Sequence, residues 1–162
     1  MKNEADYYLF NEAIKYLGKY PATRKKIKEY LQKKLKNKKT SARAIFPDGV
    51  NKEDIINGIV ERLDELKIIN EDHFLESMFH YYKQSLFSIR KIKNKLFQKG
   101  FDPKVIDEFI NQKFYENPEL EVEILKQYIV KKKIADLDES DLKKKLYQQS
   151  FSENSIFRVI KD

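Results

Sequence analysis

The chain has 162 residues, of which 36% are charged and 41% apolar, so wholesale disorder is excluded and a well-solvated globular protein is favoured. It contains no cysteine, which excludes a disulfide framework and a thiolate metal site and makes the cytoplasm the expected compartment. The net charge of +7 favours an anionic partner, although a lysine-rich genome would produce the same excess.

Residues that cap helices mark most of the predicted boundaries. Thr23, Asn51 and Ser88 each precede a stretch with apolar residues at helical spacing, so each predicts a helix start. Asp102 and Asn117 are each followed by proline, an arrangement typical of an N-cap and the first helical position. No segment alternates long enough to predict a strand. Nine helices are predicted in all, with further starts at Asp6, Asp138 and Ser152.

Apolar residues at helical spacing also predict the core. In the fourth helix we expect Phe74, Met78, Tyr81 and Tyr82 to form a buried stripe, which leaves Phe46 as the ring available for base stacking. The other predicted core faces are Ile27, Tyr30, Leu31 and Leu35, then Ile55, Ile59, Leu63 and Leu66, then Ile89, Ile92, Leu96 and Phe97.

An internal repeat organises the chain. The motif Ile92-x3-Leu96-x3-Gly100-Phe101-x4-Ile106-x3-Ile110 recurs without a gap as Leu142-x3-Leu146-x3-Ser150-Phe151-x4-Ile156-x3-Ile160. A third copy upstream is interrupted by an insertion at residues 36–50. A fixed period indicates stacked supersecondary units. The sequence therefore predicts an all-α, elongated array of three tandem three-helix repeats, at 1–67, 68–116 and 117–162.

Basic residues are segregated along the chain. Residues 24–39 contain nine lysines or arginines and one acid, and residues 83–104 contain seven and one. Residues 105–125 instead hold six acids and a single lysine. This segregation indicates contact with an anionic surface, the alternative being faces that are merely solvated. The candidate partner- or DNA-binding residues are Arg24, Lys25, Lys26, Lys28, Arg90, Lys91, Lys95 and Lys99.

No arrangement of residues predicts an enzyme. His73, Glu76 and His80 share one helical face, but a fourth metal ligand is not evident, and a solvent-facing cluster is favoured. The four glycines are isolated, so no phosphate-binding loop is predicted, and two histidines this close together define no catalytic triad. We expect no catalytic residue, no metal and no cofactor.

The segment from Ile68 to Phe101 resembles the RecX family of recombination regulators. The stretch IINEDHFL and the later SIRKIKNKLFQKGF match the family's pattern, without a gap from Phe74 to Phe101. Tandem three-helix repeats are also what the resemblance implies for the fold. The sequence departs from the pattern at Asn70 and Glu71, where the family has paired aspartates, and at Ser88, where it has glycine.

The resemblance implies a function as well as a fold. It implies a non-enzymatic protein that binds the RecA filament and modulates its ATPase and strand-exchange activity, in recombination, DNA repair and the SOS response. It also implies contact with single- or double-stranded DNA. A monomer without a membrane span is expected. The alternative is a helical protein that binds DNA or RNA independently of RecA.

Overall fold

The computed structural model describes residues 4–36 and 51–161, and within these ranges the protein is entirely helical, which confirms the all-α prediction. The helices are α1 (Glu4–Leu17), α2 (Arg24–Lys36), α3 (Lys52–Glu65), α4 (Glu71–Gln84), α5 (Ile89–Gln98), α6 (Pro103–Glu116), α7 (Leu120–Lys132), α8 (Glu139–Gln148) and α9 (Glu153–Lys161). The insertion predicted at 36–50, with its candidate Phe46, lies outside the described residues beyond the last residue of α2.

The predicted N-caps form with the expected geometry. Ser88 Oγ accepts a hydrogen bond from the Lys91 amide, and Asn51, Asp102, Asp138 and Thr23 act in the same way on the helices that follow them. Two predicted starts differ. Asp6 lies inside α1, which is helical from Glu4. The side chain of Asn117 accepts from the Glu119 amide at 3.0 Å within a turn, so α7 begins at Leu120 instead of at the proline.

Two compact units make up the chain, Met1–Phe74 and Leu75–Asp162, with the boundary inside α4. In the first unit, α1, α2 and α3 pack against one another in all three pairs. Their shared core contains Leu9, Ile27, Leu31 and Leu63, all fully buried. The second unit contains all of the predicted repeat 117–162 and residues 75–116 of the predicted repeat 68–116. Its division into those two repeats remains a prediction.

Repeat-equivalent residues of the second unit have equivalent environments. Phe101 and Phe151 are both 3% exposed, and helices continue through Ile106 and Ile156, as the repeat predicts. The residue before each phenylalanine has positive φ, 99° at Gly100 and 65° at Ser150. The amide of each phenylalanine then bonds back to a carbonyl of the preceding helix, which closes the helix end.

Some predicted core residues face solvent. The buried stripe of α4 is Leu75, Phe79 and Tyr82, whereas Tyr81 is 59% exposed and the prediction for it was wrong. Leu66 and Phe97 are also exposed. Leu66 follows the last residue of α3 and Phe97 lies in the last turn of α5, so helical spacing extended the predicted core face to the helix ends.

Two glutamates spaced by the repeat each cap a helix that precedes them in the chain. Glu71 accepts a hydrogen bond from the backbone amide of Arg24, the first residue of α2, at 2.5 Å. Glu121 accepts one from the amide of Ile89, the first residue of α5, at 3.1 Å. A carboxylate at these positions satisfies an otherwise unpaired amide and faces the positive end of the helix dipole. This device links consecutive sets of helices.

No helix within residues 4–36 and 51–161 is long and apolar enough to cross a membrane.

Candidate functional site

Arg24 is held by two carboxylates of its own unit. Its Nη2 lies 2.6 Å from Asp64 Oδ1, and its Nη1 lies 2.8 Å from Glu71 Oε2. Hydrogen bonding to Asp64 raises the pKa of the Arg24 guanidinium, against the opposing effect of burial. The side chain therefore ties α2 to the end of α3 and the start of α4. Its donors are largely used within the unit.

The other candidates in α2 differ in their pairing. Lys26 Nζ lies 3.0 Å from Glu29 Oε2, and this hydrogen bond lowers the pKa of the Glu29 carboxyl. Lys25 is exposed and Lys28 partly exposed, three residues apart and thus on one side of the helix. Both side chains are accessible to a partner on that side of α2.

In the second unit, the predicted basic residues of α5 divide between two environments. Arg90, Lys95 and Lys99 are exposed. Lys91 is partly buried, and its Nζ donates to Gln149 Oε1 at 2.5 Å. Ser88, the N-cap of the same helix, donates to the Gln149 carbonyl at 2.9 Å. The start of α5 is therefore joined to the end of α8.

Three adjoining clefts of the second unit lie around this junction. Their volumes are about 500, 210 and 290 Å³. Adjacent clefts share lining residues, Phe87 in one pair and Tyr128 with Lys132 in the other. We call this surface the basic groove. Its characteristic residues are Lys91, Lys95, Lys99, Lys132 and Lys145 with the rings of Tyr81, Phe87 and Tyr128.

The residues that line the basic groove are cationic, aromatic or neutral. No carboxylate lines any of the three clefts in the part of the chain that the structure describes. Three lysines of the unit that lie outside these clefts are paired with acids: Lys93 with Asp107, Lys113 with Glu76, and Lys143 with Glu139. A group of cations in clefts without lining carboxylates attracts anions.

Aromatic rings that pack against one another line part of the basic groove. The Tyr81 ring meets Tyr82 edge-on at 5.4 Å between centroids, and Tyr82 stacks on Phe87 at 5.8 Å. Burial raises the pKa of the Tyr82 phenol. At the other end, Lys132 Nζ lies 5.9 Å from the centroid of Tyr128. The exposed ring of Tyr81 therefore packs against the buried ring of Tyr82.

Sequence reasoning missed five contributors to this surface: Tyr81, Phe87, Tyr128, Lys132 and Lys145. Tyr81 was assigned to the core because it lies at helical spacing from Phe74 and Met78. Lys145 lies fifty residues after Lys95, so the internal repeat could have identified it. Lys132 follows no such pattern and is placed by the packing of α7.

A cleft of opposite charge occurs in the first unit. It measures about 520 Å³ and has an apolar floor that includes Phe10 and Ile55. Its acidic residues are Asp6, Asp54, Glu61 and Glu65, and among the described residues Arg62 is the cation that lines it. The two units thus carry clefts of different chemistry.

The histidine face of α4 has other partners. Glu76 is paired with Lys113 at 2.8 Å, and His80 Nε2 lies 2.9 Å from Gln84 Nε2. Within residues 4–36 and 51–161 no three side chains of the types that bind metals are grouped to hold an ion.

Comparison with known proteins connects this fold to one family. No protein-family model matches the chain. A curated relative, the regulatory protein RecX of Caldanaerobacter subterraneus subsp. tengcongensis, is 28% identical over 108 residues. These residues are 67% of this chain and 54% of the relative, so the match spans about half of the relative's length.

Solved structures extend the likeness to nearly the whole chain. The crystal structure of RecX from Lactobacillus salivarius matches with a TM-score of 0.72 and 22% identity, over 98% of this chain and 96% of that one. A second crystal structure, of a regulatory protein RecX, matches with a TM-score of 0.69 and 17% identity, over 98% of this chain and 73% of that one. These matches show the fold, and the resemblance to the RecX family is confirmed.

Proposed function

We propose that the chain is a RecX-type regulatory protein that binds the RecA filament and lowers its ATPase and strand-exchange activity in recombination and DNA repair. The observation that carries the proposal is the similarity to RecX proteins, in sequence over 67% of the chain and in fold over 98%. We propose a non-enzymatic role in the cytoplasm, since a binding surface is the best-formed feature of the described residues.

The proposed mechanism is bridging. Two compact units, each with charged surfaces, suit contact with neighbouring protomers of a filament. Linked contacts act at the effective concentration set by the chain between them, so modest individual affinities combine into tight binding. A chain that spans protomers would block strand exchange or favour filament disassembly.

In the first unit, Lys25 and Lys28 are proposed to meet acidic protein or DNA because their side chains are accessible on one side of α2. Lys26 and Arg24, the remaining candidates in α2, are paired with Glu29 and with Asp64 and Glu71 respectively. An ion pair at the surface exchanges readily, so a partner could still recruit Lys26. Arg24 is proposed to act indirectly, by holding the start of α2 in place.

The decisive test is a titration of the protein into RecA on single-stranded DNA while ATP hydrolysis is followed. We expect the ATPase rate to fall at amounts well below one molecule per RecA protomer, because one bridging molecule affects several protomers. Replacing both Lys25 and Lys28 with glutamine should shift the titration to higher concentration. An effect seen only when the protein coats the DNA would refute the filament proposal.

A second function, nucleic-acid binding without RecA, is favoured by the lysines of the basic groove, whose clefts are lined by no carboxylate among the described residues. Binding to DNA in the absence of RecA, with an unchanged RecA ATPase rate in its presence, would make this the better account. Either kind of binding to phosphates should weaken with added salt, because each neutralised phosphate releases counterions.

A further inference from the structure

We propose that the cleft lined by α1 and α3 in the first unit is a docking site for a basic amphipathic helix of a partner protein. We call it the acidic cleft, and its volume is about 520 Å³. The site goes beyond the proposed function, because it selects a partner surface of the opposite charge from the one that the basic residues would meet.

Two rows of side chains on α3 line the acidic cleft. Asp54, Glu61 and Glu65 lie at helical spacing, so they form one acidic stripe along the helix. Ile55 and Ile59 form the adjoining row, half-buried and buried respectively. A helix rises 1.5 Å per residue, so the stripe is roughly 17 Å long, which matches about three turns of a docked helix. Its complement is a helix with basic residues beside apolar ones.

Gly58 lies within the acidic stripe, in the interior of α3. Glycine in a helix interior is less stable than alanine, because it loses more backbone freedom on folding. A Cβ added at Gly58 would meet no atom of the described residues within 4 Å, and the φ of Gly58 is not positive. The described residues therefore do not require glycine here. The absence of a side chain instead lets a docked helix approach the backbone of α3 closely.

The net charge of the chain makes this attraction selective. The chain carries +7, so a cationic partner is repelled by the protein as a whole and attracted where carboxylates are concentrated. In the acidic cleft, four carboxylates accompany one guanidinium among the described residues. That guanidinium, of Arg62, lies 3.0 Å from the Glu65 carboxylate. The local charge is therefore negative on a positively charged protein.

Small cations are competing occupants, and they explain less of the acidic cleft. In the part of the chain that the structure describes, no three metal-binding side chains are grouped to hold an ion. A polyamine would pair with the carboxylates, but it would gain little from the floor of Phe10, Ile55 and Ile59. A helix that carries lysine or arginine beside apolar residues uses both the charge and the floor.

The first arm of the test removes charge. Fluorescence anisotropy would follow a labelled peptide of leucine and lysine, about 14 residues or roughly four turns long, with its leucines on one helical face. The variant with Asp54→Asn and Glu61→Gln should bind this peptide roughly 2- to 30-fold more weakly, from two lost surface ion pairs. The matched control is Glu53→Gln with Asp72→Asn, which removes equal charge from exposed positions of the same unit outside the cleft and should leave the affinity unchanged. Binding to the original protein should weaken with added salt.

The second arm fills the acidic cleft. Gly58→Leu places a bulky side chain within the acidic stripe and should weaken binding of the leucine–lysine peptide roughly 5- to 150-fold, the range expected for overpacking of a fitted surface. The control is Asn57→Leu, the same new side chain one residue earlier, where it does not line the cleft. Circular dichroism would establish that each variant is folded. If Gly58→Leu does not fold, the carboxylate variants still decide the question.

Further probes separate the possible occupants. A peptide with glutamate in place of lysine should not bind, and spermidine should bind more weakly than the leucine–lysine peptide. The proposal is overturned if the leucine–lysine peptide does not bind, binds the cleft and control variants alike, or binds no more tightly than spermidine.

Two other results would assign the acidic cleft to this chain itself and so overturn the proposal. One is peptide binding that appears only after residues 37–50 are replaced by a short glycine–serine linker. The other is self-association, measured by sedimentation velocity, that is lost in the variant with Asp54→Asn and Glu61→Gln. All of these measurements omit RecA, so their outcome is independent of the proposed function.

Discussion

Glu121 provides the strongest test of how the second unit is held together. The residue is 5% exposed, and its carboxylate accepts hydrogen bonds from the Ile89 amide at 3.1 Å and from Ser155 Oγ at 2.8 Å. Ser152 donates to it as well, through both its hydroxyl and its amide. One side chain thus joins the starts of α5 and α9.

The expected cost of Glu121→Ala follows from the donors left behind. Each buried donor without an acceptor costs about 1–3 kcal/mol, and two such donors remain at Ile89 and Ser155. Loss of a carboxylate beside the positive end of α5 adds about 0.3–1 kcal/mol. Water entering the space offsets part of this, so we expect the free energy of unfolding to fall by about 3–4 kcal/mol. Glu121→Gln keeps an accepting oxygen without the charge, and should cost about 1–2 kcal/mol.

Urea denaturation followed by far-ultraviolet circular dichroism measures these differences. The control is Glu123→Ala, two residues further along α7, where the exposed carboxylate accepts from Asn117 Nδ2 at 3.0 Å. That change should cost about 0.5 kcal/mol, as for other exposed polar contacts. A loss at Glu121 within 1 kcal/mol of the control, allowing for the ~1 kcal/mol scale of a single net hydrogen bond, would refute the account of Glu121 as a shared cap.

Two further predictions concern strain and pH. Ser150→Gly should raise the free energy of unfolding by about 0.5 kcal/mol, because glycine adopts the φ of 65° without strain. Gly100→Ser should lower the free energy of unfolding by about 1 kcal/mol. Urea titrations in which both variants change stability in the same direction would contradict this. A hydrogen bond from Lys34 lowers the pKa of the Glu12 carboxyl. The stability that this interaction contributes is fully present above the ordinary carboxyl pKa of ~4.3. It is lost as the pH falls through the lowered pKa, because the carboxyl then becomes protonated in the folded protein. Glu12→Gln should therefore cost about 1 kcal/mol at neutral pH and progressively less in acid; a difference from the original protein that stays constant down to acid pH would contradict it.

The helices and their spacing could be predicted because the interactions that form them are local. The caps at Ser88 and Asp102 act within three residues of their own position, and the burial of Phe101 and Phe151 follows from one repeated pattern. The core prediction failed at Tyr81 and Phe97 for a different reason. Helical spacing defines an apolar stripe, but the width of the stripe that is covered depends on the neighbouring helix.

The candidate site could be predicted only in part. The basic character of α5 is evident from the sequence, whereas the gathering of α5 residues with Lys132 and Lys145 around one groove depends on how α7 and α8 pack. The ion pair between Arg24 and Asp64 joins residues forty positions apart, so no local sequence pattern predicts it. Its consequence is large, because it converts a candidate for partner contact into a link between helices.

By itself, the sequence determined the helical class, the fifty-residue repeat and the excess of positive charge, since periodicity, capping and composition are properties of short segments. Only the tertiary structure decided which charges are neutralised. Lys143 is paired with Glu139 along its own helix, which the spacing predicts, but Lys93 finds Asp107 on another helix while Lys95, two residues on, faces the basic groove. The physical reason is that successive residues of a helix point in different directions, and the packing of neighbouring helices decides which direction meets an acid and which stays open to a ligand.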